Sequence, residues 1–391
     1  MLYPVYAVLF ADHGLSAAEI SSLFVIWSVT SLALEVPSGL WADMFSRRRL
    51  LAIAPILAGC GYTLWTFFPS YTSFALGFVL WGAATALRSG TLQALVYEEL
   101  ARAGASDSYA RLTGRSEAVG TTAVMVASGL AAPVLAAGGY LAVGVASVAV
   151  TLLTAVAGWS FPESRTASER GESYAKVLRE GVREVRRAPP VRGALVLVLV
   201  LMGAGSLDEY VPLLAESTGV EASAVPLLVL LVTAGTALGG WFAGAGTRWA
   251  APALAVAAGC LAAGAASGRP AGMVLVAAAY GVFQWAMAAA EARLQERISD
   301  GARATVTSMA GFGAEVMAVL AFAAYGLAST RTGPGPIFML LAVPYVLIAL
   351  AMWRSGGRRR RRGRPAAARA PASRSPCPRR GTPPARPRSG P

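Results

Sequence analysis

The sequence predicts an all-α integral membrane protein, and three observations carry that reading. Of 391 residues, 55% are hydrophobic and only 14% charged, whereas a soluble chain has about a quarter charged. The apolar residues come in blocks of roughly 18–25, each about long enough to cross a bilayer as a helix. In hydrocarbon every backbone donor must be satisfied within its own segment, so such blocks are helices. The net charge of +13 is confined to one tail. Residues 354–391 hold thirteen arginines and no acid, while residues 1–353 balance 21 basic against 21 acidic residues. A neutral body argues against nucleic acid as a partner.

Twelve apolar segments follow in order: residues 1–13, 19–42, 50–69, 72–96, 117–137, 141–161, 193–214, 224–244, 250–267, 272–292, 305–329 and 336–353. The first is short, about 20 Å of helix against a hydrocarbon core of about 30 Å. It is read as a truncated helix whose other half lies before this sequence. A signal peptide would need a basic n-region and a small-residue cleavage site, and neither is found. Short Gly/Pro-rich connections such as "FPSYTS" and "SGRPAG" separate later segments. The longest connection, 162–192, contains "ESYAKVLREGVREVRRAP". There Tyr174, Leu178, Val182 and Val185 recur at helical spacing, which predicts an amphipathic helix on the membrane surface. Residues 354–391, rich in Arg and Pro and poor in large apolar side chains, read as a disordered tail; an unselected GC-rich extension is the favoured reading, and attachment to anionic headgroups the alternative. The expected domains are therefore a six-helix bundle at 1–161, a linker at 162–192, a second six-helix bundle at 193–353 and the tail.

Basic residues set the orientation. With Asp43–Arg49 in the cytoplasm, eighteen of the body's 21 basic residues fall on that side. Arg269 and Arg331 fall outside and Arg88 lies within a helix. Both termini are then cytoplasmic. One lysine, Lys176, and no asparagine suggest a GC-rich bacterial coding sequence, hence a bacterial cell (inner) membrane. Cys60, Cys260 and Cys377 form no disulfide framework or metal-ligand spacing.

The halves repeat weakly. "ADHGLSAAEI" at Ala11 matches "ESTGVEASAV" at Glu216, aligning Gly14 with Gly219, and the same offset carries Gly39 onto Gly244. Two six-helix halves in one orientation form a parallel repeat about an axis normal to the membrane, with a substrate site near the midplane between them.

The stretch "GLWADMFSRRR" resembles the loop 2–3 signature of the major facilitator superfamily. Gly39, Asp43, Arg47 and Arg48 match it, while Met44 and Ser46 depart from it. "LEVPSG", "SGTLQALVYEEL" and "RATVTS" are similar to a bacterial, drug-efflux-like branch. The resemblance implies two bundles related by a pseudo-twofold axis, and a loop that latches them in the outward-facing state. The fifth segment, with Gly120, Gly129 and Pro133, partly resembles the antiporter signature, though Pro133 arrives one position early. Ordinary Gly/Pro plasticity in a packed helix is the competing reading.

Ionisable groups in hydrocarbon are costly, so each is a candidate functional group. Glu315 lies near the middle of the eleventh segment, with Asp208 and Glu209 in the outer third of the seventh. These are the candidates for proton coupling, because burial disfavours a carboxylate's charged form. Glu35 and Arg88 share a depth in the second and fourth segments and are expected to form an intramembrane ion pair. Asp12, Glu291 and His13 sit near helix ends and read as solvated. Trp27, Trp65, Trp81, Phe283 and Trp285 either line a cavity or pack in the core. No catalytic constellation, phosphate loop, cofactor or metal site is present, so the chain does not read as an enzyme. The expected activity is secondary transport, most simply proton-coupled efflux of small amphipathic or hydrophobic molecules by a monomer in the lipid bilayer. Uptake of a nutrient or metabolite, and a non-transporting sensor or scaffold, are the alternatives.

Overall fold

Apolar segments become helices here because nothing else satisfies their amides without water. The computed structural model describes residues 1–88, 91–105, 108–163, 185, 187–242, 246, 249–298 and 303–362. Helices are α1 (Tyr6–Asp12), α2 (Ala17–Met44), α3 (Arg47–Phe67), α4 (Tyr71–Arg88), α5 (Thr91–Arg102) and α6 (Tyr109–Trp159) in the first half. The second half has α7 (Pro189–Gly205), a 3-10 turn at Ser206–Tyr210, α8 (Val211–Glu216), α9 (Val225–Trp241), α10 (Ala250–Ala266), α11 (Gly272–Gln295), α12 (Arg303–Ser329) and α13 (Pro334–Arg362). No strand occurs among the described residues.

Among the described residues, eight helical stretches are long and apolar enough to span a membrane. They account for nine of the twelve expected segments, because the stretch Arg111–Trp159 holds two. Gly139 divides it, with φ 62° and ψ −164° inside α6, a conformation that suits glycine and strains other residues. Beyond Gly139 the chain runs antiparallel to α3: Gly144, Gly59 and Gly158 lie in turn against Thr66, Thr151 and Leu51. The remaining three segments are the short α1, the α4–α5 pair and α10.

The repeat has a structural counterpart. Gly14 and Gly219 both have positive φ, 87° and 81°. Each is followed by an extended residue that starts the next helical turn, Ser16 (φ −68°, ψ 157°) and Glu221 (φ −62°, ψ 149°). Ser16 completes a capping box with Glu19, which satisfies two orphan amides at the start of α2. Neighbour relations also recur: α2 packs on α4 and α9 on α11, α3 on α4 and α10 on α11. The α9–α11 crossing is close, since a Cβ on Gly239 would collide with the Gly281 carbonyl. Such small-residue crossings let helices approach where lipid offers no hydrophobic drive.

Residues Met1–Met352 form one unit and Trp353–Pro391 a second. The expected disorder from Arg354 onward needs correcting over its first part, because α13 continues to Arg362. A helix already nucleated in the last segment propagates at low cost, one backbone bond per added residue. The rest of the tail, and most of the expected amphipathic linker helix, lie outside the described residues.

Candidate functional site

Among the contacts that bring the halves of the sequence together, α2 packs on α12, and α6 on α9. At the end where α2 begins and α12 stops, the packing is tight. Tyr210 donates to the Ser21 hydroxyl at 2.8 Å, and Gly326 lies against Ser21. Tyr210 stacks on Tyr325 with centroids 3.5 Å apart. Phe24 bridges to Phe322 at 5.4 Å. Behind this layer Tyr6, Phe10, Trp65, Phe74 and Phe78 are fully buried. Tyr6 meets Phe24, Trp65, Phe78 and Trp81 at 5.8–6.0 Å. Edge-on aromatic contacts of this kind add to the area they bury.

Below the aromatic layer the chain breaks its helix. Residues Ser206–Tyr210 adopt the 3-10 turn, which swings Asp208 and Glu209 out of the regular α7 ladder. Glu209 is 9% exposed, and its carboxylate accepts a hydrogen bond from the Tyr6 hydroxyl across 203 residues of sequence. Asp208 is exposed and faces a cavity of about 260 Å³. The cavity walls come from Tyr3 and Val124 of the first half and from the 3-10 turn, α8, α9 and Tyr280 of the second. On α9 the lining residues are Val229, Val232, Thr233 and Thr236, spaced i, i+3, i+4, i+7 as one helical face.

Glu315 sits apart from this cavity. It is partly buried on α12, bonded to the Ser28 side chain of α2, with Glu35 in electrostatic reach. Arg88 is exposed and lines a second cavity of about 440 Å³ between α3, α4, α5 and the end of α6, beside Tyr62 and Trp81. Among the described residues no ion pair joins Glu35 to Arg88. Counting residues gives depth, but each residue also rotates the side chain by about 100°, and that angle turns Glu35 toward α12 and Arg88 toward α3.

The arginine loop is built as follows. Gly39 and Asp43 lie in the last turns of α2, their side chains outside the described residues. Ser46 caps α3, accepting from the Arg49 amide at 3.2 Å and donating to Glu163. Arg47, 6% exposed, pairs with Glu98 of α5 at 2.6 Å. Its backbone amide donates to Glu163 at 2.6 Å. Arg48 lies over the Trp159 ring at 5.8 Å. In the fifth segment, a Cβ on Gly129 would lie 3.5 Å from the Leu230 side chain of α9, Gly120 faces open space, and Pro133 is exposed.

Sequence reasoning had no route to Tyr3, Tyr6 or Tyr280, since a tyrosine in an apolar run reads as core. The α9 face was visible in spacing but carried no charge to mark it. Of the five aromatics considered as lining, Trp81 borders the second cavity. Trp65 is wholly buried, and Phe283 stacks on Tyr345 at 3.5 Å. Trp27 stacks on Trp81 at 5.3 Å. His13 and Asp12 are exposed as expected. Asp12 accepts from Tyr140 at 2.6 Å.

Comparison with known proteins agrees with this architecture. A sequence model of the Major Facilitator Superfamily matches residues 1–268. No curated protein sequence matches significantly. The nucleoside transporter NupG, as a D323A mutant, superimposes with TM-score 0.72 at 15% identity, over 90% of this chain and 94% of that one. A bacterial homolog of the human lysosomal transporter Spinster, inward-facing and unoccupied, gives 0.62 at 17% identity, over 94% and 95%. The inward-open xylose transporter XylE from E. coli gives 0.61 at 15% identity, over 90% and 89%. This multi-pass, all-helical membrane chain belongs to the major facilitator superfamily.

Proposed function

We propose that the chain is a secondary transporter that exports small amphipathic or hydrophobic molecules in exchange for protons. Alternating access would run through the cavity at Asp208 and Glu209. The observation that carries this is the Tyr6–Glu209 bond, which ties the first half of the sequence to the carboxylates beside a cavity both halves line. A proton on Glu209 weakens that bond, because a hydroxyl donates more strongly to a charged acceptor than to a neutral one. Proton binding and opening of the sealed end are then the same event. In this reading the two six-helix bundles at 1–161 and 193–353 rock about the α2–α12 and α6–α9 contacts. The end holding Gly14 and Gly219 faces outward, and the arginine loop is cytoplasmic. Glu315, hydrogen-bonded across the α2–α12 contact, is a second carboxylate that can take part. Asp43 keeps its proposed role as the latch of the outward-facing state.

The test is solute-driven proton movement in vesicles reconstituted with purified protein. Hydrophobic solutes should move protons, and Glu209→Gln should abolish that movement while leaving solute binding in place. Proton movement that survives both Glu209→Gln and Glu315→Gln would place coupling elsewhere.

A further inference from the structure

We infer that the cavity at Asp208 takes a cationic amphiphile, a protonated amine on a small aromatic or aliphatic body. This deepens the transport reading above, but it concerns what binds rather than whether the solute is moved.

The first observation is charge. Among the described residues, two carboxylates line the cavity and no Lys, Arg or His does. Glu209 is engaged by Tyr6, while the Asp208 carboxylate, which accepts only from neighbouring backbone amides, borders the cavity. The second is the sense of the hydrogen bonds. The Thr233 and Thr236 hydroxyls donate to the Val229 and Val232 carbonyls at 3.0 and 3.1 Å. Their protons are already used, so toward the cavity they can only accept. The third is Tyr280, 6% exposed, which lines the cavity with a buried hydroxyl that has no hydrogen-bond partner. An unpaired buried hydroxyl in a native protein calls for a missing partner; this one has no surface open to the cavity, so its oxygen reaches a ligand there only after the ring shifts.

Together these groups present acceptors almost without donors. An ammonium offers three donors and no acceptor, so it fits. A carboxylate or phosphate would meet the Asp208 charge and the threonine lone pairs, with only tyrosine hydroxyls to donate to it. A neutral alcohol offers one donor and leaves the Asp208 charge uncompensated. Val124, Val229 and Val232 supply apolar walls for the body of the ligand, and the Tyr3 and Tyr280 rings offer faces that attract cations.

The test uses the full chain in lipid nanodiscs and three near-isosteric probes: 2-phenylethylammonium, 2-phenylethanol and phenylacetate. The ammonium should bind about tenfold or more tightly than the alcohol, and phenylacetate should not saturate, since a paired buried charge far exceeds a neutral contact. Asp208→Asn should weaken ammonium binding by about tenfold and leave the alcohol within about twofold. Tyr280→Phe should weaken it by about threefold. Equal affinity for the three probes, or a preference for phenylacetate, overturns the inference with wild-type protein alone. So does undiminished ammonium binding in Asp208→Asn that elutes as folded protein. Selective ammonium binding without its movement across vesicles would uphold this inference and remove the transport reading. Movement of the neutral probe in preference to the cation would do the reverse.

Discussion

Arg47 shows how one side chain can serve as structure inside a loop that sequence marks as functional. Its guanidinium reaches Glu98, and its own amide and the capping Ser46 converge on Glu163. The loop is thus clamped to α5 and to the end of α6. Ser46 replaces a glycine of the family signature, and the replacement supplies a helix cap. Because Glu98 is 38% exposed, solvent screens part of the pair. Arg47→Met should therefore lower stability by about 1–2 kcal/mol, read as a lower Tm of the detergent-purified protein. An unchanged Tm would mean that the clamp is incidental. Glu35 and Arg88 make the opposite case. Facing different elements, they should behave independently, so Glu35→Gln and Arg88→Met should add within about 0.5 kcal/mol. Recovery of folded yield in the double mutant would show that they meet.

At the scale of elements, the apolar blocks translated almost directly into helices, because length and hydropathy decide what can cross a membrane. Three features were not legible. The 3-10 break at Ser206–Tyr210 follows Gly203 and Gly205 and precedes Pro212, but in a chain with 42 glycines that cluster does not mark a break, and it is this break that exposes Asp208. The division of α6 was expected between residues 137 and 141, but not which of the two adjacent glycines turns, and Gly139 does. The helical start of the tail was hidden by its composition, which scores as disordered wherever it stands. Helix crossings were legible only as glycine content. Gly239 and Gly120 look alike in sequence, yet one abuts the Gly281 carbonyl and the other faces open space. Gly239→Ala should therefore destabilise by about 1–3 kcal/mol, while Gly120→Ala should be neutral or slightly stabilising. Thermal unfolding of the two single mutants checks this, and equal shifts would contradict the α9–α11 crossing.

For the whole molecule, the sealed end should depend on few polar bonds, since its aromatic layer is non-directional. Tyr6→Phe keeps the ring contacts and removes only the hydroxyl bonded to Glu209. A hydrogen bond to a charged group is worth about 1.5–3 kcal/mol, so opening of this end should rise by about ten- to a hundredfold. Ser21→Cys, at the centre of the seal, would report it through the rate of labelling by a membrane-impermeant maleimide. Labelling at the same rate with and without Tyr6→Phe would mean that packing alone holds the end shut.

That bond also sets a condition on biosynthesis. Tyr6 and Glu209 are 203 residues apart. At translation rates of about 5–20 residues per second, the acceptor emerges about 10–40 s after the donor. Ser21 waits almost as long for Tyr210. Throughout that interval the first half resides in the membrane with its future contact face open to lipid and water. It must persist there by its own α2–α4 and α3–α6 packing, so a chain released before residue 209 should still insert but remain a substrate for quality-control proteases.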